Sequence, residues 1–432
     1  MQKKIKNGLI RAAAFIFAAC LLCAGFFCHA QSDTVNRAQS LFDGIIAYQL
    51  NQQGVGDVST YISQCLPQSA GTGAEWTALA LAQTRSDSFD AYRTALQNYV
   101  HSNRETAPAS REKLALLLIA VGSNDRYISE TLNDSIGKQG VMSLIFGLHL
   151  LANGYQSDTD TADSTLASLL SLQKNDGGFS VTGQYSDVDV TAMALQALAA
   201  YRDRPKVSRT VEESLSLLSD RQQPDGDYKS YGVNNCESTA QVITALSCLG
   251  ISVTDSRFVK NGNTLLDGLE KYRLADGSFC HKENGGTSKM ATEQALYSLA
   301  SLIRRETGRG SLYLLDRRNP GGQIRISSSE PVNSTGESPS RGSSSAVGSV
   351  GSESSWAEEA AVESKGQSEH HTPSEETRLE QSENQPSGKN FSSQKRIWLW
   401  IGMGNILLLS AFCLGFFYFY RKKRKKGEKN TG

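Results

Sequence analysis

A block of about 50 residues recurs three times between Leu166 and Arg304. In each copy a helical run ends in Asp-Gly, a short polar stretch follows, and a second helix opens around a Thr. The copies read Leu172-Gln-Lys-Asn-Asp-Gly-Gly-Phe179 to Asp189-Val-Thr-Ala-Met-Ala-Leu195, then Arg221-Gln-Gln-Pro-Asp-Gly-Asp-Tyr228 to Glu237-Ser-Thr-Ala-Gln-Val-Ile243, then Tyr272-Arg-Leu-Ala-Asp-Gly-Ser-Phe279 to Met290-Ala-Thr-Glu-Gln-Ala-Leu296. A helical hairpin of this size cannot bury its apolar face alone. It must stack on others, and a closed stack has a centre. The Asp-Gly pairs read as turns in which Gly supplies a positive φ.

Weaker copies extend the pattern upstream. Asn36 to Gln52 pairs with Ala74 to Gln83, Phe89 to His101 with Arg111 to Val121, and Tyr127 to Asn133 with Gly140 to Ala152. The clear copies pair Thr159–Gln173 with Asp189–Tyr201, Val207–Gln222 with Glu237–Leu249, and Asn263–Tyr272 with Met290–Arg305. That makes six hairpins and no sustained strand alternation. The second helix of each clear pair is apolar nearly all round and the first is amphipathic. The second helices therefore form an inner ring and the first an outer one. The expected fold class is all-α: an α/α toroid with an α6/α6 barrel, a disordered stalk and one transmembrane helix.

The rest of the chain supplies an address. Lys3, Lys4, Lys6 and Arg11 precede an apolar run from Ala12 to Cys28, and Ala30 offers a cleavage site, so 1–30 reads as a signal peptide. A lipoprotein cysteine at Cys20 is the rival, but it leaves an apolar run behind it. Residues 31–316 hold the toroid. Residues 317–395 are Ser-, Glu- and Gly-rich and read as a disordered stalk, averaging roughly 50 Å end to end. Residues 396–420 read as a transmembrane helix: Ile397 to Tyr420 is apolar, with Trp398 and Trp400 at one interface and Tyr418 and Tyr420 at the other. The basic tail 421–432 stays inside, which puts the N-terminal domain outside. The chain reads as a single-pass plasma-membrane protein of the bacterial cell surface. With 44 basic and 44 acidic residues the net charge is zero, and no nucleic-acid partner is implied.

Only four of the eight cysteines lie outside the two apolar segments: Cys65, Cys236, Cys248 and Cys280. Cys236 and Cys248 fall at opposite ends of one helix, about 18 Å apart, too far to bridge. Cys236 with Cys280 is the best-placed pair, both in equivalent inter-helix loops. Four free thiols is the other reading.

The motif Gln-x-x-Asp-Gly-(Gly/Asp)-(Phe/Tyr), followed by a Thr-Ala helix, resembles the prenyltransferase and squalene-cyclase repeat. The resemblance covers 166–305 well and 36–155 loosely. It implies the α/α toroid shared by protein prenyltransferase β subunits, class II terpene cyclases, complement-type thioester domains and cobalamin carriers. It speaks for the fold and not for one chemistry.

Asp187-Val-Asp-Val-Thr-Ala192 is the sharpest chemical candidate. It resembles the Asp-x-Asp-Asp-Thr-Ala motif of class II terpene cyclases, whose central Asp protonates an alkene. That role falls on Asp189, with Asp187 beside it. The sequence departs at Val190, where the family has a supporting Asp, and it has room for one helical domain where the cyclases carry two. The plainer reading is that Glu75, Asp189 and Glu237, each two residues before the repeat Thr, are acids favoured at helix starts by about 0.3–1 kcal/mol.

Other chemistries of the toroid find less. Zinc as in protein prenyltransferases finds only Cys236, Glu237 and His281, so no metal and no cofactor is expected. A thioester lacks its Gln, because Cys236 is followed three residues on by Thr239. A corrin carrier lacks the closing domain. What remains is a polar and aromatic rim: Trp76, Tyr185, Tyr231 and Asn234 on loops and helix starts, with Glu237, Gln241, Glu293, Gln294 and Tyr297 just inside. On this basis the expected function is a cell-surface module that binds an unidentified ligand or surface partner without a complete catalytic motif. The alternative is a terpene-cyclase-like enzyme with Asp189 as general acid, and the second is a structural or adhesive display domain. A hollow, apolar, aromatic-lined barrel with a buried Asp189 speaks for the enzyme, and a polar open mouth speaks for binding. A barrel plugged by Leu and Met speaks for the display domain.

Overall fold

The computed structural model describes residues 33–103, 107–318 and 324–325. All of them fall within Met1–Lys365, the first of two units into which the chain divides. The expected signal peptide, most of the expected stalk, the transmembrane helix 396–420 and the basic tail lie outside the described residues. Among the described residues no helix is long and apolar enough to cross a membrane.

Twelve helices of six residues or more carry the fold among the described residues. They are α1 (33–53), α2 (Glu75–Thr84), α3 (Asp90–Ser102), α4 (Pro108–Ala120), α5 (Arg126–Ser135), α6 (Gly140–Ala152), α7 (Ala162–Ser171), α8 (Val188–Leu198), α9 (Pro205–Arg221), α10 (Cys236–Cys248), α11 (Leu265–Glu270) and α12 (Lys289–Glu306). Between α1 and α2 the chain passes through an irregular helical stretch, Val58–Thr60, Tyr61–Cys65 and Leu66–Ser69, whose last part carries Pro67. The helices fall where the six sequence pairs put them. α2, α4, α6, α8, α10 and α12 each pack on the next, and α12 packs back on α2, so the even-numbered helices close a ring.

The division of labour follows composition. α6 buries Val141, Met142, Leu144, Ile145, Phe146, Leu148 and Leu150, which no single helix face could hold. The outer α9 buries Val207, Val211, Leu215 and Leu218 at helical spacing and turns Glu212 and Glu213 out. Starts are set by local chemistry: Thr161 and Asp267 with Thr264 form capping boxes, and Asp187 and Asn235 cap α8 and α10 with their side chains.

One joint repeats around the ring. Gly177, Gly226 and Gly277 have φ of 91°, 87° and 92°. Each Asp-Gly turn rests on the next outer helix. A Cβ on Gly177 would lie 3.1 Å from Glu213 O, on Gly226 2.0 Å from Thr264 O, and on Gly277 2.4 Å from Gly44 O of α1. The last turn thus meets the first helix. Arg37 of α1 reinforces that closure with Asp267 and Glu270 of α11, at 2.8 and 2.9 Å. Phe179, Tyr228 and Phe279 are fully buried behind the turns. The repeat Thr ties turn to inner helix: Thr191 Oγ1 accepts from the Phe179 N–H, Thr292 Oγ1 from the Phe279 N–H, and Thr239 Oγ1 donates to Asp227.

The far end of the ring is closed by the segment after α12. Arg304, fully buried, donates to Gln83 O at 2.7 Å and pairs with Asp316 at 2.8 Å. Tyr313 stacks on His149 at 4.1 Å, and burial lowers the His149 pKa to about 3, so the ring is neutral there. Near this end Ser247, Cys248, Gly250, Arg305, Gly308, Gly310 and Ser311 line a cavity of about 330 Å³.

One expectation needs correction, and one gains detail. In keeping with the lack of sustained strand alternation, the named strands among the described residues are two short pairings, Lys229–Ser230 with Val233–Asn234 and Arg317–Arg318 with Ile324–Arg325. Two-residue strands are too short to show alternation in sequence, and the second pair lies where the stalk was expected to begin. Cys236 and Cys280 are neighbours but unbonded, and all four described cysteines are free thiols. Cys236 Sγ turns instead toward Ala291 O at 3.8 Å and Cys280 Sγ toward Tyr272 O at 3.2 Å.

The joint gives a direct test. Gly226→Ala forces a left-handed φ on alanine and drives its Cβ into the Thr264 carbonyl, so it should lose at least about 2 kcal/mol in urea unfolding. Gly286→Ala, with ordinary φ and open space around it, should stay within ~0.5 kcal/mol of wild type.

Candidate functional site

Ring closure gathers the N-terminal turns of the inner helices at one mouth. Here Glu75 of α2 meets Lys113 of α4 at 3.7 Å, both buried. Glu293 of α12 pairs with Lys289 at 3.0 Å. Burial, with the Glu75 charge adding to it, raises the Glu293 pKa to about 7 against the pull of Lys289 and Lys113. One turn further in, on the same face of α12, lies Tyr297.

Tyr297 belongs to an aromatic wall. Trp76 lies 5.1 Å from Tyr297 and 6.3 Å from Phe146, centroid to centroid. All three are buried. Beside the wall runs a ladder of amides from three neighbouring helices. Gln196 Nε2 donates to Gln241 Oε1 at 2.8 Å, Gln241 Nε2 donates to Gln294 Oε1 at 3.0 Å, and the Tyr297 hydroxyl donates to that same oxygen at 3.5 Å. The ladder engages both ends of the Gln241 amide and fixes its orientation. Aromatic faces next to spent hydrogen-bonding groups favour an apolar guest or a cation over the π-systems.

Asp189 opens the inward face of α8, with Met193 and Gln196 one and two turns on. The residue keeps a partial opening to solvent, yet its Oδ1 is closed off and has no hydrogen-bond partner. Burial pushes its carboxyl well above the usual carboxylate range, and the charges of Asp187 and Glu237 push the same way; the nearby Ser238 hydroxyl opposes them. Asp189 also acts electrostatically on Tyr297 of the wall and on Tyr231 of the rim.

Asp187 has a different fate. Its Oδ1 accepts from the N–H groups of Asp189 and Val190 at 2.9 and 3.0 Å, and its Oδ2 from Ser230 Oγ at 2.7 Å. It caps the helix and anchors the hairpin of 229–234. Tyr231 sits at that hairpin's tip, 73% exposed with φ 48°, and Tyr185 is 80% exposed on the neighbouring loop. Asn234 is committed to Asp227 at 2.8 Å and faces the joint between hairpins, not the mouth. Trp76, Glu237, Gln241, Glu293 and Tyr297 are buried on the N-terminal halves of the inner helices α2, α10 and α12. Phe146 and Lys113 were missed, because α4 and α6 carry none of the repeat's turn signals in front of them. Val190, which stands where the resemblance expects a supporting acid, is buried. Among the described residues no group of three or more His, Cys, Asp or Glu side chains is arranged to hold a metal. The cavity at the far end lies about 17 Å from this mouth along α10.

Comparison with known proteins places these features. The pattern of the prenyltransferase alpha-alpha toroid domain matches residues 128–284 and 209–309. The drimenyl diphosphate synthase of Streptomyces showdoensis is 28% identical over 165 residues, which cover 36% of this chain and 30% of that enzyme. The chain therefore spans under a third of the relative it matches. Among solved structures, a variant of the type II terpene cyclase MstE from Scytonema, without ligand, aligns with 64% of this chain and 97% of its own at 13% identity and a TM-score of 0.40, too low to bear on function. The chain is mostly helical, and over residues 128–309 it is similar to the prenyltransferase alpha-alpha toroid domain. The synthase match overturns the expectation of a binding module without catalysis. That expectation gave Val190 too much weight and did not foresee an acid deprived of partners.

The acid's environment has a consequence for stability. A carboxyl raised above its unfolded value of about 3.9 costs the fold nothing below that pH, and its cost grows as pH rises toward the folded value. Asp189→Asn should therefore raise stability at pH 7, by the equivalent of about 2–4 °C in Tm, and leave it unchanged near pH 3. Thermal melts at both pH values check this; equal shifts at both would contradict it.

Proposed function

We propose that the chain is a protonation-initiated cyclase of the terpene-cyclase type, acting on an apolar chain with isolated alkenes, with Asp189 as the general acid. The observation that carries the reading is the closed-off, unpartnered Oδ1 of Asp189 at the start of an inner helix of the ring that also holds Trp76, Phe146 and Tyr297. A carboxyl that burial keeps protonated near neutral pH can serve as a general acid, and with no lone pair to offer, an alkene takes the proton on its π bond. The O–H bond breaks as the alkene's π pair takes the proton, and the cation forms on the adjacent carbon. The faces of Trp76, Phe146 and Tyr297 stabilise that cation by about 0.5–2 kcal/mol each. The ladder engages the Gln241 and Gln294 oxygens, which leaves them poorer nucleophiles toward the cation. The similarity to drimenyl diphosphate synthase supports a linear polyprenyl diphosphate as substrate. The surface placement read from 1–30 and 396–420 is part of the same proposal.

The full chain, incubated with farnesyl or geranylgeranyl diphosphate, should yield a cyclised isomer. In D2O that isomer should carry one solvent deuterium at the carbon that received the proton, which a route begun by loss of diphosphate does not give. Asp189→Asn should lower the rate at least ~10³-fold. Undiminished turnover by Asp189→Asn, or product without deuterium, overturns the assignment.

A further inference from the structure

The hairpin that leads into α10 carries a backbone conformation that its packing does not explain. Lys229 pairs with Asn234 and Ser230 with Val233, which leaves Tyr231 and Gly232 as a two-residue turn with φ of 48° and 83°. A turn that is left-handed at both central residues favours Asn or Asp before the Gly. An aromatic residue in that place is strained. Core packing does not offset the strain, since Tyr231 is 73% exposed and Val233 39%. Strain held at an exposed tip points to a task for the side chain it presents.

The tip stands close to the acid. The strand Lys229–Ser230 packs on α8, the helix that opens with Asp189. Asp187 joins the two: its Oδ2 accepts from Ser230 Oγ at 2.7 Å and its Oδ1 from the Asp189 N–H at 2.9 Å. Partial burial, and then the charges of Asp187 and Asp189, raise the Tyr231 phenol above its usual range. Further ties hold the base of the hairpin, from Asn234 to Asp227 at 2.8 Å and from the Asn235 N–H to Tyr228 O at 3.4 Å. Two residue pairs make a marginal unit, so a hairpin tied at its base is free to swing at its tip.

We propose that this hairpin is a cover for the mouth, and that the Tyr231 ring turns inward over bound substrate and keeps water from the cation. The inference rests on the proposed function and deepens it by naming what decides the product. Tyrosine suits the task, with an apolar ring for the substrate side and a hydroxyl that stays wet. With the mouth closed, the cation ends as the cyclised isomer. With the mouth open, a water oxygen forms a C–O bond to the cation and gives up one proton to solvent. The product is then heavier than the substrate by one water. Tyr231 determines specificity in this way and takes no part in the protonation of the alkene.

The readout is the ratio of hydrated product to isomer when the full chain acts on farnesyl diphosphate, a ratio that does not depend on total rate. Tyr231→Asn relieves the turn and removes the ring. It should resist urea at least as well as wild type and raise the ratio at least ~5-fold. Tyr231→Phe keeps the ring and should stay within about twofold of the wild-type ratio. An unchanged ratio in Tyr231→Asn, or an equal rise in both variants, overturns the cover while leaving Asp189 as the acid. Closure itself is read in Asp189→Asn, where farnesyl diphosphate turns over too slowly to interfere. At saturation, amide exchange across 229–234 should slow at least ~3-fold, and unslowed exchange also overturns the cover. Wild type that converts no polyprenyl diphosphate takes down the functional reading and this inference together.

Discussion

The structure depends on the contact between each Asp-Gly turn and the outer helix of the following hairpin. Only a residue without Cβ, in a left-handed conformation, brings the turn's backbone within reach of its neighbour's backbone. Because the last of these joints lands on α1, the stack closes instead of spiralling on. Closure sets the rest. It makes the even-numbered helices an inner ring and brings their N-terminal turns to a single mouth, so one position of the repeat is presented to the same space several times over.

That convergence explains how a fold can carry chemistry without a long motif. Acids before the repeat Thr are ordinary helix-start residues, and most are used so. Glu75 is neutralised by Lys113 and Asp187 caps its helix. Asp189 stands at the same kind of position, but Asp187 already holds the N–H groups it could have taken, and no cation is among the charges acting on it. A helix start normally favours the charged carboxylate by about 0.3–1 kcal/mol; burial beside two other acids outweighs that here. Glu237, from the next repeat, adds its charge to the burial that raises the Asp189 carboxyl, an influence that a linear motif does not reveal.

The fold was legible because its signals are local and repeated. Asp-Gly at 176, 225 and 276, the Thr that follows each, and the switch from amphipathic to apolar helices suffice to place the hairpins. The upstream hairpins were legible from helical periodicity alone, since their turns lack the Asp-Gly mark. The site was legible only in part. Trp76, Gln241 and Tyr297 could be found because the repeat aligns them with the mouth. Tyr185 and Tyr231 share their composition but stand on the rim in solvent, and Asn234 serves the joint. Phe146 reads in sequence as one more apolar residue of α6, and only ring closure turns it into a wall opposite Trp76. The pairing of Glu237 with His281 spans 44 residues and has no local trace.

The central claim is that Asp189 holds a proton at neutral pH, and infrared difference spectroscopy reads that state without substrate. At pH 7 the spectrum of wild type minus Asp189→Asn should contain a protonated-carboxyl C=O band that shifts in D2O. Glu112, buried with both oxygens unpartnered and pushed well above the carboxylate range by burial, contributes equally to both proteins and cancels. A difference spectrum showing only the loss of a carboxylate band would mean that Asp189 is ionised at rest, and the account of an acid poised for an alkene would be wrong.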